Sequence, residues 1–325
     1  MIFPFNVYLA AFAGALLVTF GSLPLWRRWC IRTGHVDDPG HRKIHESPIP
    51  LAGGLAVLSG ILTPVFAAVI VTKFHIGGFD TAALVHGLEA RKAELAAILF
   101  GAVAMVALGW WDDRYEMRPL PKFAGQILIA LIVAASGVRV TLFVHNIIFS
   151  YAVTVLWILT VINAFNFMDN MNGLCAGLGA IGAFYFAASA AISGQYLVAL
   201  IALLACGALL GFLPYNFPRA SAFLGDAGSH LIGYLLAVLA ILPHFYSLKN
   251  DSNKFAVLTP LLVLAVPLFD MAWVVVLRTS MGKPFYIGDN NHLSHRLVRR
   301  GLTKTSAVLV IWLLAAAAGA ISFIL

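Results

Sequence analysis

Residues 148–170 read IFSYAVTVLWILTVINAFNFMDN, and the first twenty-one of them carry no formal charge. A helix needs about 20 apolar residues to cross a bilayer core, where it satisfies its own backbone hydrogen bonds. The stretch therefore reads as a membrane span ending on Asn163, Asn166 and Asp169. If the helix continues, these lie at i, i+3 and i+6, close to one face. Unpaired polar side chains at the end of an apolar span are costly, so a function is the first reading and hydrogen bonding between helices the second.

Nine further stretches have the same character, roughly 3–26, 51–73, 94–111, 123–139, 174–192, 196–213, 229–247, 256–277 and 305–325. Several are short or broken by Gly and Pro. The expected fold is an all-α polytopic membrane protein of about ten transmembrane helices, with no soluble domain left over. Composition agrees: 61% of the 325 residues are hydrophobic and 11% are charged, against roughly 25% charged in a soluble domain. Mean hydropathy is +0.91. The segment Phe3 to Trp26 is long enough to span and lacks the basic start of a cleavable signal, so it reads as an uncleaved first helix. Cys30, Cys175 and Cys206 are widely spaced and form no C-x-x-C, which points to buried thiols.

The net charge of +7 does not indicate nucleic acid, because the bases sit in short loops between apolar runs. Fifteen Lys and Arg fall on one set of alternate loops and six on the other, so the richer side is cytoplasmic. An even span count then places both termini outside. Nine of the fourteen acids share the cytoplasmic side, as do His35, His41, His45, His292 and His295, with His230 at a helix start. Both signs of charge gathered at helix ends resemble a site for metal and phosphate more than a solvated surface.

Five motifs carry that chemistry. The first loop, from Asp37 through Lys43 to Pro50, offers cations to phosphate oxygens, although a topology-setting loop reads equally well. Asp112 and Asp113 follow Trp110 and Trp111 at a helix end. Adjacent carboxylates repel unless a cation or proton lies between them, which suits a metal neighbourhood or base chemistry; a pair of interfacial acids is the plainer reading. The third motif is the Asn163–Leu174 segment. In the fourth, Phe223-Leu224-Gly225-Asp226-Ala227-Gly228-Ser229, a small-residue turn opens a helix and could offer backbone N–H groups to phosphate, with Asp226 holding Mg²⁺, although a plain helix cap reads equally well. In the fifth, Asp289 to Leu297, His292, His295 and Arg296 could clamp phosphate or belong to an amphipathic loop. A zinc pair there lacks H-E-x-x-H or supporting cysteines. Asp270, inside the ninth span, reads better as a structural partner than as part of an ion path.

Taken in this order, the five motifs resemble the polyprenyl-phosphate N-acetylhexosamine-1-phosphate transferases, which include MraY, WecA and TagO. The resemblance runs from about Asp37 to Gly301 and makes residues 1–325 a single integral membrane transferase domain. It implies a Mg²⁺-dependent exchange, with Mn²⁺ as an alternative ion. A UDP-activated N-acetylhexosamine gives its sugar 1-phosphate to undecaprenyl phosphate, releasing UMP, as the first membrane step of cell-surface glycan synthesis. The location implied is the inner (plasma) membrane with the active site facing the cytoplasm, and relatives suggest a homodimer. By the same resemblance Asp112, Asp113 and Asp169 are catalytic, one of the first two deprotonating the lipid phosphate. Asp226 is the metal ligand. Lys43 lies near the phosphates, Asn166 in the nucleotide cleft and Phe223 near uracil, while His292, His295 and Arg296 complete the substrate-binding set.

Two departures bear on substrate. The familiar D-G-x-D-G-L appears as Asp169-Asn170-Met171-Asn172-Gly173-Leu174, so Asn172 replaces an acid that in MraY-like members helps recognise the base. The dolichyl branch has a similar N-G-L. In place of three consecutive histidines the chain has His292-Leu293-Ser294-His295-Arg296, closer to the WecA and TagO branch and to UDP-N-acetylglucosamine. The competing readings are the phospho-MurNAc-pentapeptide transferase of peptidoglycan synthesis, a membrane lipid transporter, and a non-catalytic relative. No internal repeat of the transporter kind is evident. The aspartate spacing of CDP-alcohol phosphotransferases is absent.

Overall fold

The computed structural model describes residues 4–38, 48–74, 89, 91–140, 144, 146–242, 257–284, 286 and 289–324. Lys43 lies outside the described residues, as do His41, Arg42, His45 and Glu46. The elements in chain order are α1 (Phe5–Thr33), β1 (Val36–Asp37), β2 (Ile49–Pro50), α2 (Gly53–Lys73), α3 (Lys92–Tyr115), α4 (Pro119–Ala135), α5 (Ile147–Met168), α6 (Leu174–Ile192), α7 (Tyr196–Asn216), α8 (Gly225–Ile241), α9 (Thr259–Val263), α10 (Ala265–Ser280), α11 (Leu293–Arg299) and α12 (Lys304–Ile321). The protein is an all-α polytopic membrane protein.

Each of the ten apolar stretches contains a helix. Among the described residues, seven helices are long and apolar enough to cross a membrane: α1, α2, α3, α5, α6, α7 and α12. The other three stretches depart from a plain span. α4 and α8 have 17 residues each, and the ninth stretch breaks at Leu264 into α9 and α10, with Pro260 and Pro267 in the first turn of each.

Some helices run past the apolar stretch that marks them. α1 continues through Arg27, Arg28 and Arg32 until Gly34, which takes φ +68° and closes the end with N–H bonds to Cys30 and Ile31 carbonyls. α3 likewise carries its helix through Asp112 and Asp113 to Tyr115, so the paired acids lie on a rigid last turn. α5 behaves oppositely. It stops at Met168 with Asp169 as its C-cap at ψ 41°, so Asn163 and Asn166 are helical and Asp169 begins the turn.

α8 is the centre of the bundle. Every residue from Ala227 to Ala240 is buried, and α2, α3, α5, α6 and α7 all pack on it. Lipid tails are as apolar as leucine, so close packing by small residues does the work that water exclusion does in soluble cores. Leu17, Phe66, Phe100, Leu128, Leu156 and Leu313 remain exposed on the outer faces. The first loop leaves α1 and returns to α2 through the antiparallel pair β1–β2, with Val36 opposite Pro50 and Asp37 opposite Ile49. Pro50 O then accepts the Phe223 amide at 3.0 Å, and the Gly53 and Gly54 amides donate to Phe223 O and Leu224 O at 2.9 and 3.1 Å. These bonds seat the first motif's frame directly against the fourth.

Candidate active site

Asp113 is the keystone of the site. Its side chain is 8% exposed. The Asp226 amide donates to Asp113 Oδ1 at 2.7 Å and the Ala227 amide to Oδ2 at 3.1 Å. An acid on α3 thus caps the N-terminus of α8, satisfying two orphan donors and matching the positive end of that helix. Two of the N–H groups expected to greet phosphate are therefore already engaged. Gly225 makes the approach possible: at φ +72° it turns the chain into α8, and a Cβ there would press on the Asp113 carboxylate.

Asp112 points elsewhere. Its Oδ1 accepts the Met117 amide at 2.8 Å, closing the turn after α3, and its Oδ2 meets Lys122 Nζ at 2.6 Å. The same ammonium lies 2.7 Å from Asp226 Oδ2. Asp226 Oδ1 accepts Asn166 Nδ2 at 2.7 Å, and Asn166 also donates to Ser229 Oγ at 3.0 Å. Asp112, Asp113, Asn166 and Asp226 are thus joined in one bonded network at one end of the bundle. Asp169 follows Asn166 by one turn, with its own amide donating to Asn166 O at 3.2 Å. Burial, then the charges of Asp226 and Asp113, push its carboxyl up to about 8.

The arrangement fits a divalent cation. Two carboxylates converge on a single positive charge, the Lys122 ammonium, which shows by its own position where a cation is held. Asp112, Asp226 and His230 each offer a ligand atom, all within 4.8 Å of one another. Beneath them, His230 Nε2 lies 3.5 Å from Gln126 Nε2, and Gln126 Oε1 accepts Asn163 Nδ2 at 3.0 Å. Asn163 thus serves the helix-to-helix role weighed for it, below the acids.

The fifth motif reaches the site from the other flank. His292 is 5% exposed and stands edge-on to Phe167 with ring centroids 5.6 Å apart. Ser294 Oγ donates to Asn170 Oδ1 at 2.6 Å, tying α11 to the turn after Asp169. His295 lies 6.4 Å from His292 between ring centroids, and burial followed by the charges of His292, Arg299 and Lys304 lowers its pKa. Arg296 spreads over the Trp273 ring at 4.9 Å, away from the acid network. Asn172 Nδ2 donates to Pro218 O at 3.3 Å, and the half-buried Phe223 joins the loop beside β2 through its backbone. The contacts of Arg296 and Asn172 are thus with Trp273 and Pro218 rather than with the acids.

A profile of glycosyl transferase family 4 matches residues 95–244, which contain the network just described. The chain is 32% identical to the probable undecaprenyl-phosphate N-acetylglucosaminyl 1-phosphate transferase of Bacillus subtilis, over 94% of this chain and 81% of that protein. It is 34% identical to the decaprenyl-phosphate N-acetylglucosaminephosphotransferase of Mycobacterium tuberculosis, over 94% and 79%. The undecaprenyl-phosphate alpha-N-acetylglucosaminyl 1-phosphate transferase of Yersinia pestis is 28% identical over 92% and 79%. The chain belongs to the polyprenyl-phosphate N-acetylhexosamine-1-phosphate transferases.

Several residues of this transferase site escaped the sequence reading. Lys122 counted there only as a topology charge. A signal was present: it sits in the first turn of α4, where the helix dipole disfavours a cation that has no anionic partner. Gln126 had no such mark, because a single polar residue in an apolar helix is ambiguous, while Ser229 and His230 stood out only as the end of the fourth motif and as a histidine at a helix start, with no role attached. Asp270 and Arg278, 1% exposed each, hold His292 and Asp289. The pairing reading of Asp270 agrees with this geometry.

Proposed function

We propose that this protein transfers N-acetylglucosamine 1-phosphate from UDP-N-acetylglucosamine to undecaprenyl phosphate, releasing UMP. The observation that carries the reading is the Asp112–Lys122–Asp226–Asn166 network at helix ends, within a family whose relatives are named for N-acetylglucosaminyl 1-phosphate transfer and undecaprenyl phosphate. An oxygen of the lipid phosphate attacks the β-phosphorus of the nucleotide sugar. The bond from that phosphorus to the bridging oxygen breaks, and the electron pair leaves with UMP. The product is a lipid-linked sugar diphosphate.

Both reactants are anions, so the site must neutralise charge before they can meet. Asp226 and Asp112 would hold Mg²⁺, with Mn²⁺ as the alternative, and Asn166 orients Asp226 by its bond to Oδ1. Such a cation would supply Lewis-acid stabilisation of the charge developing on phosphate oxygens. The Lys122 ammonium, held between Asp112 and Asp226, is placed to meet the same oxygens. Asp113 keeps α8 and hence Asp226 in register. Asp169, raised to about 8, holds a proton at neutral pH when no cation is bound; it would become the acceptor for a proton from the lipid phosphate once a cation at Asp226 favours its ionised form. Lys43, Phe223, Asn172, His292, His295 and Arg296 are assigned to substrate contacts around this centre.

All ten apolar stretches are taken to cross the inner membrane, with the site on the cytoplasmic face where the nucleotide sugar is found. The excess of Lys and Arg on that side supports this orientation. The test is UMP release by purified protein in detergent with undecaprenyl phosphate and Mg²⁺. UDP-N-acetylglucosamine would be compared with UDP-N-acetylgalactosamine and UDP-muramyl-pentapeptide, and Asp226→Ala would be the control. Lipid-dependent release with the first nucleotide, lost in the variant and on chelation, is expected. Release with the muramyl nucleotide alone would assign the chain to peptidoglycan synthesis instead.

A further inference from the structure

Asp270 takes no part in the reaction as derived above, yet it is 1% exposed in α10 and bound by two donors. Its Oδ2 lies 2.7 Å from His292 Nδ1 and its Oδ1 accepts the Leu293 amide at 2.6 Å. A buried carboxylate persists only when its oxygens are satisfied in this way. Its partner His292 is tied to the catalytic turn from both sides, by the Phe167 ring and by the Ser294–Asn170 bond two residues on. Phe167 and Asn170 bracket Asp169 in sequence.

We propose that Asp270 is a positioning residue of the transferase site, holding His292 with a proton on Nδ1 so that Nε2 is the atom presented to the phosphates of the nucleotide sugar. The proposal rests on the transfer reading for the identity of the substrate. Its physical basis is the donor and acceptor count. A neutral imidazole has one donor and one acceptor nitrogen, and the partner of one fixes the role of the other. A carboxylate only accepts, so Nδ1 must donate. The Leu293 amide occupies the second oxygen and stops the carboxylate from turning away. Nε2 is then the remaining polar atom of the ring: it accepts when the ring is neutral and donates to a phosphate oxygen when the ring is protonated.

Asp270→Asn tests this without changing the size of the side chain. The Leu293 N–H cannot become an acceptor, so the amide oxygen must stay with it. The amide NH₂ then faces Nδ1, which has to accept, and the neutral ring carries its proton on Nε2 instead. Asp270→Glu keeps two acceptor oxygens and so keeps the original tautomer. Carboxylates that orient a metal-bound histidine through its other ring nitrogen have effects of about 10–100-fold when removed, and the same order is expected for a histidine oriented toward phosphate.

The experiment uses the full chain in detergent micelles with ¹⁵N-labelled histidine, the His292 signals being identified by their loss in His292→Gln. The wild-type protein is expected to show protonated Nδ1, and Asp270→Asn protonated Nε2. In the UMP-release assay with UDP-N-acetylglucosamine, Asp270→Asn is expected to lower kcat/KM by about tenfold or more. In the His292→Gln background the same change should cost nothing further, because both act through one ring. A wild-type proton on Nε2, an additive loss in the double variant, or full turnover in Asp270→Asn despite the inverted tautomer would each overturn the proposal. Should Asp270→Asn not fold, Asp270→Glu decides: retained Nδ1 protonation with most of the turnover supports it, and loss of both overturns it. A folded wild-type protein that releases no UMP would refute the transfer reading, and the tautomer would then decide the role of Asp270 alone.

Discussion

The Asp113 carboxylate caps the helix that carries Asp226, accepting the Asp226 amide at 2.7 Å and the Ala227 amide at 3.1 Å. Two adjacent acids therefore have different tasks. Asp112 faces the Lys122 ammonium, where the proposed metal ion would sit, and Asp113 sets where the third acid stands. Removing a cap costs about 0.5–2 kcal/mol of stability, and here it also frees Asp226 to drift. Asp113→Ala is expected to lower both the thermal unfolding midpoint and UMP release, the latter at least a hundredfold. Asp112→Ala should abolish release with a smaller fall in midpoint. Equal midpoints for Asp113→Ala and the wild-type protein would refute the capping role.

Lys122 bridges Asp112 and Asp226 at 2.6 and 2.7 Å, with its side chain 16% exposed. Breaking a buried ion pair from one side costs about 3–5 kcal/mol, because the remaining charges lose their compensation. Lys122→Met leaves two carboxylates facing each other. A divalent cation can repair that repulsion, so Mg²⁺ is expected to raise the unfolding midpoint of Lys122→Met by more than it raises that of the wild-type protein. Thermal unfolding with Mg²⁺ and with chelator measures the difference. An equal response in both proteins would exclude a shared cation position.

Asp169 gives the protein a pH dependence with a definite sign. Burial, then Asp226 and Asp113, raise its carboxyl from the ordinary 3.8 to about 8. The folded state thus keeps a proton that the unfolded chain has already lost. Its stabilising contribution is complete below the unfolded value and declines as pH rises, until it is lost through the folded value. Stability at neutral pH should therefore fall toward pH 8 in the wild-type protein and fall less in Asp169→Asn. A cation held at Asp226 adds positive charge beside Asp169 and favours its ionised form, so metal affinity should rise over the same range. Midpoints and Mg²⁺ titrations across that range, in both proteins, provide the check.

The span pattern was legible in the sequence because apolar length is a one-dimensional property, and each of the ten stretches does contain a helix. Helix ends were not. α1 and α3 run on through Arg32 and Arg114 to Thr33 and Tyr115, since charge stops a membrane segment without stopping a helix. The acids at 112, 113 and 226 could be chosen from their neighbours, but their division of labour needed the crossing of α3 over α8. Lys122 and Asp270 become site residues through Asp226 and His292, partners 104 and 22 positions away. A pairing of that kind leaves at most an indirect sign in the sequence, such as the place of Lys122 in the first turn of α4.

The same crossing makes a last prediction about backbone rather than side chains. Gly109 lies on α3, one turn before Asp113, and a Cβ there would press on the backbone of Asp226 and Ala227. Those atoms cannot retreat without pulling the Asp226 and Ala227 amides off the Asp113 carboxylate. Gly109→Ala thus adds a single methyl yet opposes the contact that aligns the acids, and overpacking of this kind costs about 1–3 kcal/mol. Gly21, inside α1, has nothing within 4 Å of a built Cβ and serves as the control. Alanine there gains helix propensity, about 1 kcal/mol at most. Gly109→Ala is expected to lose UMP release while still inserting in the membrane, and Gly21→Ala to keep it with an unchanged or higher unfolding midpoint. Activity retained in Gly109→Ala would mean that α3 and α8 can separate by the width of a methyl group without moving Asp226, and the proposed coupling of helix packing to acid placement would fail.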